Sequence, residues 1–476
     1  MTYDALAISY PRSNDPLASF LTSLDRFLVE HVDARAIDAA HRIPDQVLRG
    51  LADLGAFGVT IPEAYGGSGL GLLAACRVVD VSARRDRAVA TTVGLHLGLG
   101  TRPLVAFGTA AQKARWLPEL AAGSRIAAFA ATEPGAGSDL SRLATRAVID
   151  GERVRVDGQK LYVTNGRIAG LYTLAVASDL AGGGALIVLE REDSGLSVGP
   201  EERKLGLRGS STTPITLAGV EVESARLIGP TGAGAAQLGH TLAWGRTAMA
   251  AGCCGTAQAA LDATLAHVRL RHQFGRTLAA QPVVRAQVAD MVATLHTMRA
   301  LVVRAATAPD AAEHERLSLA AKIFCSDGDW AICDLALQLH GGSGYLEDTG
   351  LPLLLRDARI TRVFEGANDV LASRLGQIEL TAPRPPTADL IGVQLSERLA
   401  AARSQGLAAL RDPVLMHQIG HLAVVREAAA SLVPPATAAD RHALIRLSES
   451  ALAIGARSSA GVADLAASVL DLESRQ

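Results

Sequence analysis

One glutamate of this sequence stands in a setting that favours proton abstraction. Glu365 follows Phe364, precedes Gly366 and lies just before a stretch whose apolar residues have helical spacing. A carboxyl group in apolar surroundings has a raised pKa and can act as a general base near neutral pH. A carboxylate at the start of a helix is also favoured by the helix dipole, which would be a purely structural reason for its position. Glu365 is therefore a candidate base, with the structural role as the alternative.

Two short segments have groups that could bind a phosphate or a flat ring. Residues 131–139 (ATEPGAGSD) offer backbone N–H groups and a serine hydroxyl, which suit a phosphate, although an ordinary turn has a similar composition. Residues 160–166 (KLYVTNG) end a predicted strand with an aromatic ring and a threonine hydroxyl. The ring could lie against a planar cofactor while the hydroxyl donates to it, but the end of a hairpin would contain the same residues.

Two further segments have groups that suit a pyrophosphate. Residues 271–276 (RHQFGR) follow a long helical stretch, and their guanidinium groups could pair with a pyrophosphate. Cations at the end of a helix also complement its dipole, which is the structural alternative. Residues 338–345 (QLHGGSGY) form a glycine-rich break after another helical stretch. Each segment is a weak indication by itself.

The elements that must position these groups change type along the chain. Residues 16 to about 125 have apolar residues at helical spacing. Residues 126 to about 230 contain short alternating runs between glycine-rich turns, including a hairpin signal at Asp150-Gly151. Helical spacing returns at Gly232. It continues in four long stretches, at 234–270, 281–306, 311–340 and 366–380.

These patterns predict a multidomain protein of helices and strands. Long helices with short connections favour an antiparallel bundle, and short strands with tight turns favour a small barrel. The predicted parts are an N-terminal α-helical domain (1–125), a middle β-barrel domain (126–231), a C-terminal four-helix bundle (232–380) and, after a linker at 381–386, a helical C-terminal extension (387–476) that is broken at Pro434-Pro435.

Composition and missing motifs exclude several classes of protein. The net charge is −2, from 46 basic and 48 acidic residues, so no nucleic-acid-binding surface is indicated. The five cysteines lack C-x-x-C spacing, so we expect neither a disulfide framework nor a metal site. The phosphate loop G-x-x-x-x-G-K, the dinucleotide fingerprint G-x-G-x-x-G and the zinc motif H-E-x-x-H are all missing.

The sequence has no segment that is typical of a membrane span. No apolar run reaches about 18 residues without a charge. Residues 1–15 lack the basic and apolar regions of a signal peptide. We therefore expect a reduced, cytoplasmic protein without a membrane span.

Taken together, the order and spacing of the segments resemble the acyl-CoA dehydrogenase family, flavoproteins with an α-helical, β-barrel, α-helical layout. The resemblance covers residues 16–380. Residues 129–139 resemble the family's first signature, and residues 361–371 (TRVFEGANDVL) resemble the segment that carries its catalytic base. Three features most resemble the very-long-chain branch of the family. They are residues 364–370 (FEGANDV), the stretch 107–138 and the C-terminal extension, which is shorter here.

The resemblance implies FAD-dependent α,β-dehydrogenation of an acyl thioester, from acyl-CoA to trans-2-enoyl-CoA. Glu365 would remove the α-proton while hydride passes from the β-carbon to flavin N5. The backbone N–H of Glu365 and a flavin hydroxyl would hold the thioester carbonyl as an oxyanion hole does. Some members place the base on the long helix after the barrel, but the matching residue here is Gly245, directly before Arg246. Glycine cannot be a base, so Glu365 would act alone.

The resemblance also assigns the binding residues. The FAD contacts fall on Phe129, Ala131, Thr132, Gly137, Ser138, Tyr162, Thr164, Arg271, Phe274, Gln338, Gly341, Gly342, Asn368 and Asp369. The substrate contacts fall on Ser138, Arg246, Gly366, Gly94 and Gly98. In the family, the groups matching Arg271 and 338–342 come from a neighbouring subunit, so a homodimer or homotetramer is implied.

The spacing of two glycines predicts the shape of the acyl pocket. Gly94 and Gly98 are four residues apart in a helix predicted over residues 88–107, at the point where the family's helix lines the floor of the acyl pocket. They would leave a groove for medium to long acyl chains. Close approach of a neighbouring helix is the alternative, because it needs small residues for the same reason.

Departures from the family pattern leave the acyl carrier open. Ala367 replaces a usual threonine, and Ala372 replaces a frequent arginine whose loss would weaken recognition of the CoA nucleotide. The carrier could therefore be CoA or an acyl carrier protein, and electron-transfer flavoprotein is the expected electron acceptor. A carrier-protein-linked dehydrogenase or a flavin oxidase on the same fold, or a non-catalytic assembly protein, remain as alternatives.

Overall fold

Helices and strands follow one another along the chain in the predicted order, so the predicted fold class is confirmed. The structure, a computed structural model, describes residues 16–178, 184–230, 232–382, 390–432 and 438–455. The expectations for residues 1–15, for most of the linker at 381–386 and for the break at Pro434-Pro435 lie outside these residues. No helix of the described ranges is both long and apolar enough to span a membrane.

The N-terminal part consists of short helices around an apolar core. They are α1 (Pro16–His31), α2 (Ala34–Ala40), α3 (Asp45–Asp53), α4 (Leu72–Arg85), α5 (Arg87–Leu95), α6 (Arg102–Phe107) and α7 (Ala110–Ala121). Polar caps begin several of them: Asp33 and Asp86 each accept backbone N–H groups at the start of α2 and α5. Such caps satisfy donors that the first turn of a helix leaves without partners.

A single helix was expected over residues 88–107, and the structure divides it. Residues His96–Gly100 form a wider, π-helical turn between α5 and α6. The backbone N–H of Ala127 donates to Nδ1 of His96 over 3.0 Å, and burial lowers the pKa of His96 to about 4. The imidazole is therefore neutral and able to accept. A Cβ on Gly100 would lie 2.7 Å from the Cβ of Ala127, so this turn needs a glycine to pack against the following strand.

The middle part is one sheet of eight strands. They are β1 (Ile126–Ala130), β2 (Arg146–Asp150), β3 (Arg153–Thr164), β4 (Ala169–Ser178), β5 (Gly184–Glu190), β6 (Leu196–Val198), β7 (Thr212–Glu223) and β8 (Leu227–Ile228). Their order is β6-β7-β3-β2-β4-β5-β8, with β1 parallel to β4. The predicted hairpin is β2–β3, in which Asp150 pairs with Arg153 around Gly151 at φ 56°.

The helices of the C-terminal part agree with the four predicted stretches. They are α8 (Gly234–Leu270), α9 (Pro282–Ala306), α10 (Ala311–His340) and α12 (Asn368–Thr381). The prediction missed α11 (Leu351–Arg359) and a small hairpin of β9 (His272–Gln273) and β10 (Arg276–Thr277). The extension adds α13 (Leu390–Ser404), α14 (Pro413–Ala430) and α15 (Ala438–Gly455).

Helix α14 packs directly against α12, backbone to backbone. A Cβ on Gly376 would collide with the backbone of Met416, and one on Gly420 would collide with the backbone of Ala372. Most of α14 is buried. The extension is therefore an integral part of the bundle and covers one face of α12.

A buried network of charges joins the same two helices. Arg426 of α14 donates to both carboxylate oxygens of Glu379 in α12, at 2.8 and 2.9 Å, and Arg316 of α10 also pairs with Glu379. Glu427 pairs with Arg426 and Arg304. Both glutamate side chains are fully buried. Removing one partner of such a network leaves a buried charge and is strongly destabilising.

Gly420→Ala is expected to destabilise the protein, because the added Cβ meets the backbone of Ala372 and α14 must move away from α12. We expect a loss of about 1–3 kcal/mol, measured as a lower midpoint in urea denaturation. Gly239→Ala is the matched control, since a Cβ at this exposed position in α8 meets no atom within 4 Å. It should stabilise by about 1 kcal/mol through helix propensity. Equal stabilisation by both changes would contradict the close contact.

Candidate active site

The carboxylate of Glu365 lies beside α8 and near the π-helical turn His96–Gly100. Its atom Oε2 has no solvent contact and no hydrogen-bond partner in the structure, although the residue as a whole is only half-buried. A Cβ on Gly245 of α8 would lie 2.7 Å from this oxygen and 2.5 Å from Cδ2 of Leu99. Gly98, in the π-helical turn, faces Gly245, with its own Cβ position 3.9 Å from the Gly245 Cα. Glycine at 245 therefore leaves the room that the carboxylate occupies.

The electrostatic setting of Glu365 suits a base. Burial raises its pKa to about 7, and the positive charges of Arg246 and Lys322 oppose this rise. The backbone of Glu365 has φ 55°, and Nε of Arg246 donates to its carbonyl oxygen over 3.1 Å. Gly366 follows with φ 101°, which a residue with a Cβ rarely adopts. The loop is thus held in a strained form by contacts outside it.

Asn368 fixes the start of α12, three residues after Glu365. Its Oδ1 accepts from Nζ of Lys322 over 2.6 Å, and its Nδ2 donates to Ser326 and Asp327 over 2.9 and 3.0 Å. Burial lowers the pKa of Lys322 to about 8. Sequence reasoning missed Lys322 and Ser326. Their spacing of four on one face of a helix, and the presence of only four lysines in the chain, were signals that could have found them.

The predicted cofactor segments 131–139 and 160–166 are brought together. Nζ of Lys160, which is fully buried, donates to Oε1 of Glu133 over 2.6 Å and to the carbonyl of Ala131 over 3.2 Å. Burial alone would raise the pKa of Glu133, but Lys160 and nearby N–H donors hold it below its usual value. The backbone N–H of Leu161 also donates to the carbonyl of Thr132 over 2.9 Å. Neither Lys160 nor Glu133 was a predicted site residue.

Around the buried pair of Lys160 and Glu133, the side chains of segments 131–139 and 160–166 differ in exposure. Phe129 is buried in β1, whereas Ala131, Thr132 and Thr164 are half-buried. Tyr162 lies at an irregularity of the β3–β7 pairing with φ 55°, and its residue surface is 63% exposed. Gly137 and Ser138 are exposed. This face therefore presents a ring, hydroxyl groups and open backbone to solvent.

The two segments predicted to bind a pyrophosphate meet at one end of the bundle. Arg271 follows α8 directly, while Gln338 lies in the last turn of α10 and Gly341 follows that helix. The rings of His267 and His340 stack with centroids 4.1 Å apart, so the ends of α8 and α10 lie side by side. Neither Gly341 nor Gly342 has an atom within 4 Å of its Cβ position. The backbone is therefore open to a ligand there.

The same end of the bundle exposes large apolar side chains. Phe274, at φ 54° in the turn between β9 and β10, is 93% exposed. The others are Leu270, Val283, Tyr345 and Leu346. Apolar side chains exposed together mark interaction surfaces in soluble proteins. This end of the bundle has the chemistry of a protein interface.

The two glycines predicted to line an acyl groove have different surroundings. The Cβ position of Gly94 lies 3.0 Å from a methyl group of Val79 in α4, so close helix packing accounts for this glycine. Gly98 instead faces the space beside Glu365. The π-helical turn places the two residues outside the regular four-residue spacing of one helix face.

Comparison with known proteins agrees with this architecture. Family models described as the acyl-CoA dehydrogenase N-terminal, middle and C-terminal domains match residues 16–124, 128–220 and 232–379. The human mitochondrial very long-chain specific acyl-CoA dehydrogenase is 33% identical over 374 residues, which are 75% of this chain and 57% of that protein. The chain thus spans little more than half the length of this relative.

Two solved structures are similar in fold. Butyryl-CoA dehydrogenase from Megasphaera elsdenii has a TM-score of 0.74 at 30% identity, covering 78% of this chain and 100% of that one. An acyl-CoA dehydrogenase from Bacillus anthracis, complexed with FAD, has a TM-score of 0.81 at 23% identity, covering 94% of this chain and 87% of that one. With three family models that follow one another along most of its length, this chain belongs to the acyl-CoA dehydrogenase family.

Proposed function

We propose that this protein is an FAD-dependent acyl-CoA dehydrogenase in which Glu365 removes the α-proton of an acyl thioester. The observation that carries the proposal is the buried Oε2 of Glu365, which has no hydrogen-bond partner in the structure and lies against the vacant side-chain position of Gly245. An unpaired buried acceptor costs free energy unless a ligand uses it. A carboxylate in that state is available to take a proton.

The residues present fit FAD. The exposed ring of Tyr162 and the hydroxyl groups of Thr132 and Thr164 can contact a flat ring system, and Gly137 and Ser138 leave a backbone that a phosphate can approach. Asn368 would support the ring only through its backbone, since its amide group is occupied by Lys322 and α10. FAD bound by these residues would supply the acceptor for the hydride from the β-carbon of the substrate.

The proton step follows from the position of Glu365. Its carboxylate accepts the α-proton, and the product state is a neutral carboxyl group, which a buried site tolerates better than a charge. Nε of Arg246 donates to the carbonyl of Glu365 and so holds the peptide unit between Glu365 and Gly366, while the backbone N–H of Glu365 would hold the thioester oxygen. Proton removal and carbonyl polarisation thus come from one residue.

The substrate is proposed to carry a medium to long acyl chain that passes Gly98 and Gly245. Recognition of the CoA nucleotide differs from the family pattern at Ala372. This residue is fully buried against Gly420 of α14, so an arginine would have no room there. Any nucleotide contact must therefore come from other residues. Whether the acyl carrier is CoA or an acyl carrier protein depends on whether other residues supply this nucleotide contact.

Assembly forms part of the proposal. Arg271, Phe274, Gln338, Gly341 and Gly342 lie at the exposed apolar end of the bundle. A second copy of the chain docked on this end would bring Arg271 to the FAD pyrophosphate of its neighbour, in a homodimer or homotetramer. Electron-transfer flavoprotein is proposed as the electron acceptor, in a cytoplasmic protein.

Glu365→Gln is expected to retain FAD and substrate binding but to lose dehydrogenation. The amide has nearly the same shape, yet it cannot accept the α-proton. We expect anaerobic flavin reduction by acyl-CoA to slow by about 10²–10⁴-fold. Glu223→Gln, an exposed glutamate of β7, is the control and should react as the wild type does. Undiminished flavin bleaching in Glu365→Gln would refute the assignment of the base.

The rate of flavin reduction should depend on the ionisation of Glu365. Because its pKa is raised to about 7 by burial, the carboxyl is protonated and inactive at lower pH. The rate should rise about tenfold per pH unit up to pH ~7 and then level off. Lys322→Met removes a charge that lowers this pKa, so the profile should shift to higher pH, whereas Lys113→Met on α7 should leave it in place. A rate that does not change from pH 5 to 9, roughly the range where such a base titrates, would contradict the assignment of Glu365 as the base.

Arg271→Ala is expected to weaken FAD retention and self-association together, because a guanidinium–phosphate pair across a subunit boundary couples the two by mass action. Size-exclusion chromatography and the FAD content after dialysis measure both properties. Arg269→Ala, an exposed arginine in the last turn of α8, is the control for a helix-end charge. If the two variants behave alike, Arg271 contributes only to the helix dipole.

A further inference from the structure

Three side chains with nitrogen and oxygen ligand atoms meet where the extension covers the bundle. Asp369 is the second residue of α12, and His417 and His421 lie one turn apart on the same face of α14. The cysteine spacing and the missing zinc motif H-E-x-x-H predict no metal site, but this cluster uses neither cysteine nor that motif. His417 lies 48 residues after Asp369 in the sequence.

The distances between the ligand atoms suit a single metal ion. Nε2 of His417 lies 3.2 Å from Oδ1 of Asp369 and 3.2 Å from Nε2 of His421. All three atoms lie within 4.8 Å of one another. A tetrahedral zinc ion with bonds of about 2.0–2.1 Å holds its ligand atoms roughly 3.3 Å apart. Two of the three distances therefore already match tetrahedral coordination.

The hydrogen bonds that Nε2 of His417 can make have to be divided between two neighbours. Nε2 of His417 carries at most one hydrogen, and it faces both the carboxylate of Asp369 and Nε2 of His421. If that hydrogen is donated to Asp369, no lone pair is left for His421. If His421 donates instead, a lone pair of His417 faces the carboxylate. One cation placed among the three atoms satisfies all of them.

We propose that Asp369, His417 and His421 form a zinc site that fastens the C-terminal extension to the bundle, with water as the fourth ligand. Two imidazoles and a carboxylate are typical ligands of zinc, whereas calcium and magnesium prefer oxygen alone. The Asp369 side chain is 87% exposed and that of His417 37% exposed, so an ion can enter from solvent.

The site would act on the helix that follows the catalytic loop. Asp369 is four residues beyond Glu365, and α14 already packs against α12 through Gly376 and Gly420. A metal ion bound by both helices resists their separation, because it binds the folded state and not the separated helices. This effect on stability does not require the proposed dehydrogenation, although it uses Asp369, which the resemblance assigns to FAD binding.

The test uses the full-length protein with its cofactor, treated with a chelator and then titrated with ZnCl₂ under isothermal titration calorimetry. We expect one tightly bound ion per chain in the wild type and binding weaker by about tenfold or more in His421→Ala and His417→Ala, as expected for loss of a ligand. His442→Ala is the matched control. Its Nε2 contacts Oδ1 of Asp290 over 2.7 Å between α15 and α9, and this pair belongs to no group of three possible metal ligands among the residues that the structure describes.

A second readout separates a specific site from loose binding. Co²⁺ in a four-coordinate site gives visible bands at wavelengths beyond flavin absorption, and these should form in the wild type and in His442→Ala but not in His421→Ala. Zinc should also raise the melting temperature of the wild type and not that of the variants at 417 and 421. Wild-type affinity equal to that of the double variant His417→Ala/His421→Ala would overturn the proposal.

Discussion

The carboxylate of Glu365 can lie where it does only because a neighbouring helix leaves room for it. That room is the missing side chain of Gly245, whose Cβ would lie 2.7 Å from Oε2 of Glu365. Burial at this point raises the pKa of the carboxyl to about 7, and so converts an ordinary glutamate into a candidate base. The remaining contacts of the site serve to keep the carboxylate there.

Those contacts come from two long helices of the bundle. Arg246 of α8 holds the carbonyl of Glu365, while Lys322 of α10 holds Asn368 at the start of the next helix. Both cations also lower the pKa of Glu365, against the effect of burial. The same two side chains therefore hold the loop in place and limit how far burial raises the pKa of Glu365. A backbone with φ 55° at Glu365 persists because these partners over-determine it.

The extension changes what the bundle can present to a ligand. Helix α14 lies so close to α12 that Gly376 and Gly420 are required at the contact, and Ala372 is buried beneath it. The sequence has Ala372 where the family often has an arginine, and this difference predicts weaker nucleotide recognition. The structure gives a packing reason for it, because an arginine would have no room beneath α14. The buried pairs of Arg426 with Glu379 and Glu427 then make separation of the two helices costly.

The order of the helices and strands follows from local properties of the sequence. Helical spacing gave the bounds of α8, α9 and α10 almost to the residue, and Asp150-Gly151 indicated the β2–β3 hairpin, because periodicity and turn residues are local properties of the chain. The division of the predicted helix at 88–107 and the short helix α11 were not visible in that pattern.

Which charged groups meet depends on how the chain folds. Glu365 and Arg246 are 119 residues apart, Lys322 and Asn368 are 46 apart, and Glu133 and Lys160 are 27 apart. A local pattern states which face of a helix is apolar but not which distant residue packs against it. Glu365 is already a candidate base in the sequence, but its positive neighbours and the cluster of Asp369 with His417 are visible only when α8, α10, α12 and α14 pack together, because burial and charge proximity exist only in the folded chain.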